Sequence, residues 1–285
     1  MPQDFTKELL QLVVKTSTEL PPDVRQALLN AQKTSENSAE ASALETMLKN
    51  ADLAVERRLP VCQDTGTLLF YVKAPVGFDV PAFEKNACDA VAQATAMGVL
   101  RQNCVETLTG HNTGNNLGYG SPVFHWHFEK RDNLDVTLML KGGGSENMGI
   151  QYSLPDKSIG AGRDLDGVRK CLLDAVVRAQ GMGCAPGILG VAIGGDRATG
   201  YEESKAQFLR KIGERSPVPE LAALEERVLR EANSLGIGPM GFGGRNTLLD
   251  VFIGARCRIP ASYFVSISYM CWCFRRQHTI LTLQN

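Results

Sequence analysis

The run Ile188-Leu189-Gly190-Val191-Ala192-Ile193, closed by Gly194-Gly195 and lying between two helical stretches, does most to limit the folds open to this chain. An unbroken apolar run this short falls far below the roughly 20 residues that span a bilayer and reads as a buried strand. Helical patterns near Asp166–Gln180 and from about Glu202 flank it, which makes an α/β crossover. A second signal excludes a purely parallel sheet. Val123–Phe128 and Val136–Leu140 are β-rich runs joined by the polar Glu129-Lys130-Arg131-Asp132-Asn133, a pattern that predicts an antiparallel hairpin. The expected class is therefore α+β (mixed α/β): N-terminal helices, then a mixed sheet with an antiparallel hairpin, flanked by helices.

Local periodicity fills in the rest. Phe5, Leu9, Leu12 and Val13 recur at helical spacing, Pro21-Pro22 breaks the pattern, and residues 39–54 carry Leu44, Met47, Leu48 and Leu53, so about residues 1–60 read as helices. Leu68–Val72 reads as a buried strand, and Asp79 caps a helix presenting Val80, Phe83, Ala87, Val91 and Ala94 before it stops near Gly98. Pro219 opens an amphipathic helix that ends at Gly236, and strands are expected at Leu248–Ile253 and Tyr263–Ile267. No repeat or long linker interrupts residues 1–285, so one compact domain is expected.

With 30 basic and 31 acidic residues and no basic cluster beyond Arg57-Arg58 and Arg275-Arg276, the chain lacks a nucleic-acid footprint. The acidic opening Met1-Pro2-Gln3-Asp4-Phe5-Thr6-Lys7-Glu8 is unlike a secretory peptide, so a soluble, cytoplasmic protein acting on a small molecule is expected.

Eight cysteines scattered through a chain of this size are core thiols, metal ligands or catalytic groups rather than a disulfide framework. Cys88 and Cys171 fall on helix faces and read as core. Cys62 stands in Val61-Cys62-Gln63-Asp64-Thr65-Gly66-Thr67, where a thiolate ligand would neighbour a carboxylate suited to proton transfer. Cys184 sits in the loop Gly181–Gly187, whose glycines permit close approach of a bulky ligand, and Cys271 follows a strand in Tyr269-Met270-Cys271-Trp272-Cys273. Three thiolates so widely separated suit a cubane iron-sulfur cluster with one iron left open, or are ordinary loop and core thiols; spacing leaves both readings standing.

His125 and His127 alternate on one strand face, and packing around Trp126 is expected of them rather than metal binding. Gly236-Ile237-Gly238-Pro239-Met240-Gly241 fits GxGxxG but follows a helix and contains a proline, which argues against a dinucleotide site.

The strings Cys62–Thr67, Asn112-Thr113-Gly114-Asn115-Asn116, Lys141–Asn147, Cys184-Ala185-Pro186, Gly236-Ile237-Gly238, Phe242-Gly243-Gly244 and Cys271-Trp272, in this order, resemble class I, iron-sulfur-dependent fumarate hydratases. The likeness is to their α subunit or N-terminal domain, which is related to the α subunit of L-tartrate dehydratase. The resemblance implies a [4Fe-4S] cluster held by Cys62, Cys184 and Cys271, with Cys273 as the rival for the third place. It also implies Asp64 in proton transfer, and Gln63, Arg101 and the backbone of Gly144 on a small dicarboxylate substrate. The expected reaction is reversible hydration of fumarate to malate. Thr67 and Ser145 are more like the fumarases than the tartrate dehydratases; tartrate dehydration, and a non-catalytic iron-sulfur or zinc-binding scaffold, are the alternatives.

Two departures qualify the likeness. The family usually carries histidine after the arginine at Arg258, and this chain has Ile259, which has no hydrogen-bonding group; weaker binding, a changed substrate or lost activity is expected. The chain also ends fourteen residues after Cys271, short of a C-terminal domain. The resemblance thus implies either a fragment or a separate β subunit that completes the site, in a dimer of such pairs, with no nucleic acid and no membrane.

Overall fold

A computed structural model describes residues 3–284; Met1 and Pro2 of the acidic opening string, and Asn285, lie outside it. Three helices come first, α1 (Thr6–Thr18), α2 (Pro22–Lys33) and α3 (Ser38–Arg57), followed by β1 (Thr67–Pro75), α4 (Val80–Ala96), β2 (Val123–Glu129) and β3 (Asn133–Lys141). Next come the single turn α5 (Gly143–Glu146), β4 (Ile150–Ser153), α6 (Leu165–Ala179), β5 (Gly187–Ile193) and α7 (Arg197–Ala206). Last are α8 (Pro219–Asn233), β6 (Leu248–Ala255), β7 (Phe264–Met270) and β8 (Arg275–Thr282). The described residues divide into two compact units, one of residues 3–21, 49–143 and 273–284, the other of residues 22–48 and 144–272. The mixed α+β class expected from sequence is present, as one four-stranded mixed sheet in each unit.

The first unit's sheet has the order β2-β1-β3-β8. β1 pairs parallel with β2 and antiparallel with β3, while β8 pairs antiparallel with β3. The hairpin expected between residues 123–128 and 136–140 therefore does not form: these strands flank β1 instead of pairing. β1 buries Leu68, Leu69, Phe70, Val72 and Ala74 on both faces and takes an interior place, leaving the half-exposed β2 at the edge. Residues 130–132 suffice to cross two strand spacings of about 4.8 Å each. α4, capped by Asp79 Oδ1 accepting from Ala82 N, makes the β1-to-β2 crossover, and with α1 it covers a core of Leu9, Val13, Phe70, Phe83, Val91 and Leu138. Each such fully buried side chain stabilises by about 1.5–3 kcal/mol.

His125 stacks on Tyr71 with ring centroids 4.5 Å apart, whereas Trp126 packs edge-on against Phe83 and donates to Glu84 Oε1. The histidine is thus a packing group, but its partner is Tyr71 rather than Trp126.

The second unit's sheet runs β4-β7-β5-β6. β5, buried throughout, pairs parallel with β6 and antiparallel with β7, and the α7–α8 segment forms the crossover that the apolar run predicts. α7 begins at Arg197, earlier than its apolar pattern indicates, because Asp196 and Thr199 form a reciprocal capping box. Gly190 admits the backbone of α7, since a Cβ there would stand 2.2 Å from Ser204 O. Glu225 on α8 is fully buried, accepting from both Arg210 Nη atoms and from Ser216 N and Ile253 N.

Candidate active site

In the first unit, the segment between α3 and β1 is fixed at both ends by hydrogen bonds. Val61 N donates to Ser17 O (2.9 Å) and Val61 O accepts from Asn50 Nδ2 (2.8 Å). Buried Thr65 donates to Arg101 O (2.8 Å) and accepts from Arg101 N (2.9 Å), so the backbone of Arg101 is tied directly to the Cys62–Thr67 string. Gly66 is required where it is: its φ is +74°, and a Cβ would lie 2.3 Å from Lys141 O.

The Cys62 thiol is pulled down to about 6, first by a hydrogen bond from the Cys273 thiol and then by the positive charge of Arg275. Burial and the Asp64 charge oppose this, and Asp64 N adds a contact to Sγ at 3.4 Å. Asp64 Oδ1 accepts from Asn103 Nδ2 (2.9 Å), and its carbonyl accepts from Arg275 Nη2 (2.7 Å). A cavity of about 320 Å³ opens beside this carboxylate, lined by Asn103, Asn116, Tyr119, Ser121 and Gly143 among others. That volume accommodates a small polar ligand.

The Asn112–Asn116 string is a turn that braces the cavity wall. Asn112 Oδ1 accepts from Gly114 N, while buried Asn116 donates to Thr95 Oγ1 and Arg101 O and accepts from Asn103 N. Gln63, the Arg101 side chain and Gly144 are all exposed. A Cβ on Gly144 would meet nothing within 4 Å, so protein packing does not demand glycine there.

In the second unit, Cys184 lies between α6 and β5 at φ +56°, a left-handed conformation uncommon outside glycine. Buried Cys271 follows β7, and the two are drawn together where Trp272 N donates to Cys184 O (3.2 Å). Two of the glycines around Cys184 have a packing role that their sequence context does not show. They admit the ring of Tyr269: a Cβ on Gly183 would stand 2.5 Å from its Cε1 and one on Gly187 2.2 Å from its Oη. The Gly236–Gly241 string is a turn after α8 that supports this loop, with Met240 N donating to Ala185 O (2.9 Å) and Met240 O closing on Gly181. Neither observation has a one-residue signal in the sequence.

Ile259 is exposed on a cavity of about 890 Å³ shared with Asp196, Arg256, Cys257, Arg258 and Phe264. Arg258 donates to the carbonyls of Ile259, Pro260 and Ser262 and lies over the Tyr263 ring. His278, on the other unit, contacts Asp135 at 3.0 Å.

The structure thus groups Cys62, Cys273, Asp64 and the Arg101 backbone in one unit, and Cys184 with Cys271 in the other. Among the described residues, no three His, Cys, Asp or Glu side chains gather around a single metal ion's position. A polynuclear cluster holds its ligands farther apart than one ion does, because the ligands bind different irons. Sequence reading missed the roles of Cys273 and Arg275. The pair Arg275-Arg276 registers in sequence only as a surface charge, yet the side chains are 1% and 8% exposed. Their burial follows from β8, whose first half, residues 275–278, is polar in sequence.

Comparison with known proteins bears directly on this arrangement. Residues 6–280 match the family described as Fumarate hydratase (Fumerase). A Geobacillus stearothermophilus protein named "Putative fumarate hydratase class I" is 50% identical over 95% of this chain and 53% of its own length. The chain therefore spans about half of that relative. The L(+)-tartrate dehydratase subunit alpha of Escherichia coli K12 is 31% identical, over 99% of this chain and 93% of its own length. A Methanocaldococcus jannaschii protein named "Putative L(+)-tartrate dehydratase subunit alpha" is 34% identical, over 94% of each chain. Among the described residues, no helix is long and apolar enough to cross a membrane.

Proposed function

The chain belongs to the fumarate hydratase family, and from that premise we propose that it is the α-type part of an iron-sulfur hydro-lyase that interconverts fumarate and malate. The observation that carries the reading is the Cys62–Asp64 segment, where a thiol held at about 6 and a carboxylate adjoin a buried guanidinium beside a cavity. A thiol so lowered is available as a metal-binding thiolate at neutral pH. A buried cation with unpartnered donors favours an anionic group such as a thiolate-ligated cluster. The Cys62 thiol beside that cation is chemically suited to a [4Fe-4S] cluster, for which Cys184 and Cys271 are the other proposed ligands.

Such a cluster supplies a Lewis-acid iron that polarises the substrate hydroxyl. The chain's own residues supply part of the remaining chemistry. Asp64, oriented by Asn103, passes the proton at the hydroxyl that leaves or arrives. Arg101, anchored through its backbone by Thr65, pairs with a substrate carboxylate, for which a planar guanidinium is well shaped. Gln63 and the Gly144 backbone complete the contacts from this chain. The carbon-bound proton and the rest of the carboxylate clamp belong to a β-type partner, in keeping with relatives that are named as α subunits.

The test is anaerobic purification with a candidate β-type partner, a visible spectrum, and paired assays with fumarate and tartrate. Iron-sulfur absorption with turnover of fumarate in preference to tartrate is expected. A colourless protein carrying stoichiometric zinc would overturn the assignment, and preference for tartrate would replace the substrate.

A further inference from the structure

Arg275 opens β8 and is 1% exposed, yet among the described residues no carboxylate pairs with it. One of its nitrogens, Nη2, donates to Asp64 O at 2.7 Å; Nε and Nη1 are buried with no hydrogen-bond partner. A buried guanidinium is costly unless an anion and acceptors surround it, and leaving two donors unmet adds to that cost. Phe274 before it and Leu140 opposite it in the β3 register are apolar and also fully buried, so the fold holds the cation in place rather than letting it reach solvent. Its hydrogen bond to Asp64 O, at 2.7 Å, places the guanidinium against the backbone two residues from Cys62. That thiol already accepts from Asp64 N and from Cys273, and a single thiolate leaves little acceptor capacity for two further N–H groups.

We propose that Arg275 is a positioning residue for the iron-sulfur cluster, placing its positive charge and its two unmet N–H donors against the cluster sulfurs at Cys62. The inference rests on the proposed cluster and adds a function for a residue outside its ligand set. Net charge and hydrogen bonds to sulfur set the potential of such clusters. A buried cation stabilises the more negative, reduced state, so Arg275 raises the cluster's midpoint potential. A substrate carboxylate is the competing occupant. The direct link of Arg275 to the Cys62–Asp64 backbone favours the cluster, because that segment bears the proposed ligand.

The full chain is reconstituted anaerobically with iron and sulfide as wild type, Arg275→Gln and Arg275→Lys, and iron content and an EPR-monitored redox titration are recorded. Arg275→Gln is expected to load but to shift the oxidised-to-reduced ratio at fixed potential at least about tenfold toward oxidised, 59 mV for one electron. Arg275→Lys, which keeps the charge without the fork, is expected to recover part of that shift. A loaded Gln variant with the wild-type midpoint overturns the proposal, as does one whose only change is a raised KM for the dicarboxylate. Should the Gln variant fail to fold, wild-type chain labelled with 15N in its arginine side chains decides: a reduced cluster without weak 15N coupling overturns the proposal. A wild-type chain that takes up no iron and sulfide overturns the proposed function itself, a distinct result.

Discussion

Cys62 and Cys171 show how the same side chain acquires opposite chemistry from its surroundings. Cys62 is pulled down to about 6 by the Cys273 donor and the Arg275 charge, whereas burial on α6 pushes Cys171 up to about 12. An unfolded thiol titrates near about 8.5. Between about 6 and that value the unfolded chain binds more protons at Cys62 than the folded chain, so this group stabilises the metal-free fold as pH rises and loses that effect as pH falls through about 6. Cys171 acts above that window with the opposite sign, because the unfolded thiol ionises first. Urea unfolding of metal-free wild type and Cys62→Ala at pH 6 and pH 8.5 measures the first effect: wild type gains stability over the variant at the higher pH, and an equal difference at both values refutes it. Ile259 poses a separate question at this scale. Its side chain is exposed on the large cavity of the second unit. Ile259→His is expected to lower KM for the dicarboxylate in the loaded, partnered enzyme; unchanged kcat and KM would rule out a simple missing contact.

At the level of elements, the β1 entry is the most constrained point of the first unit. Gly66→Ala must place a Cβ against Lys141 O at a left-handed φ, so a loss of at least about 1–3 kcal/mol is expected from backbone strain alone, read by urea unfolding. Wild-type stability in this variant would refute the close approach. Elements with strong periodicity were legible in the sequence: α4 with its Asp79 cap, the buried β5, and the crossover to β6 all appear where the pattern puts them. Pairing was less so. Nothing in residues 123–141 says that β1 separates β2 from β3, because strand order depends on which strand buries both faces. β8 escaped notice because Arg275-Arg276-Gln277-His278 reads as polar surface, although the sheet buries both arginines. The strings that carry the proposed site residues Cys62, Asp64 and Cys184 stand out in the sequence as chain-local patterns. The contacts that shape those residues, Cys273 with Cys62 and Tyr269 with the Gly183–Gly187 loop, arise only from tertiary packing.

For the whole molecule, the proposed sharing of the active site between this chain and a β-type partner can be tested by rate. The purified, cluster-loaded chain alone is expected to hydrate fumarate at least about a hundredfold more slowly than when supplied with a β-type partner, since general acid–base groups typically contribute 10²–10⁴-fold. Comparable rates with and without the partner would contradict that division of labour. The strand order has a further consequence, for the timing of folding. β4 to β7 all precede β8 in the chain, so every strand of the second sheet is synthesised before the last strand of the first. Domains generally fold as units during synthesis. The strands of the second sheet are thus complete when β8 follows them, and until β8 docks β3 presents an open edge. Closing that edge with β8 is also what buries Arg275, so the charge beside Cys62 is set only once β8 has docked.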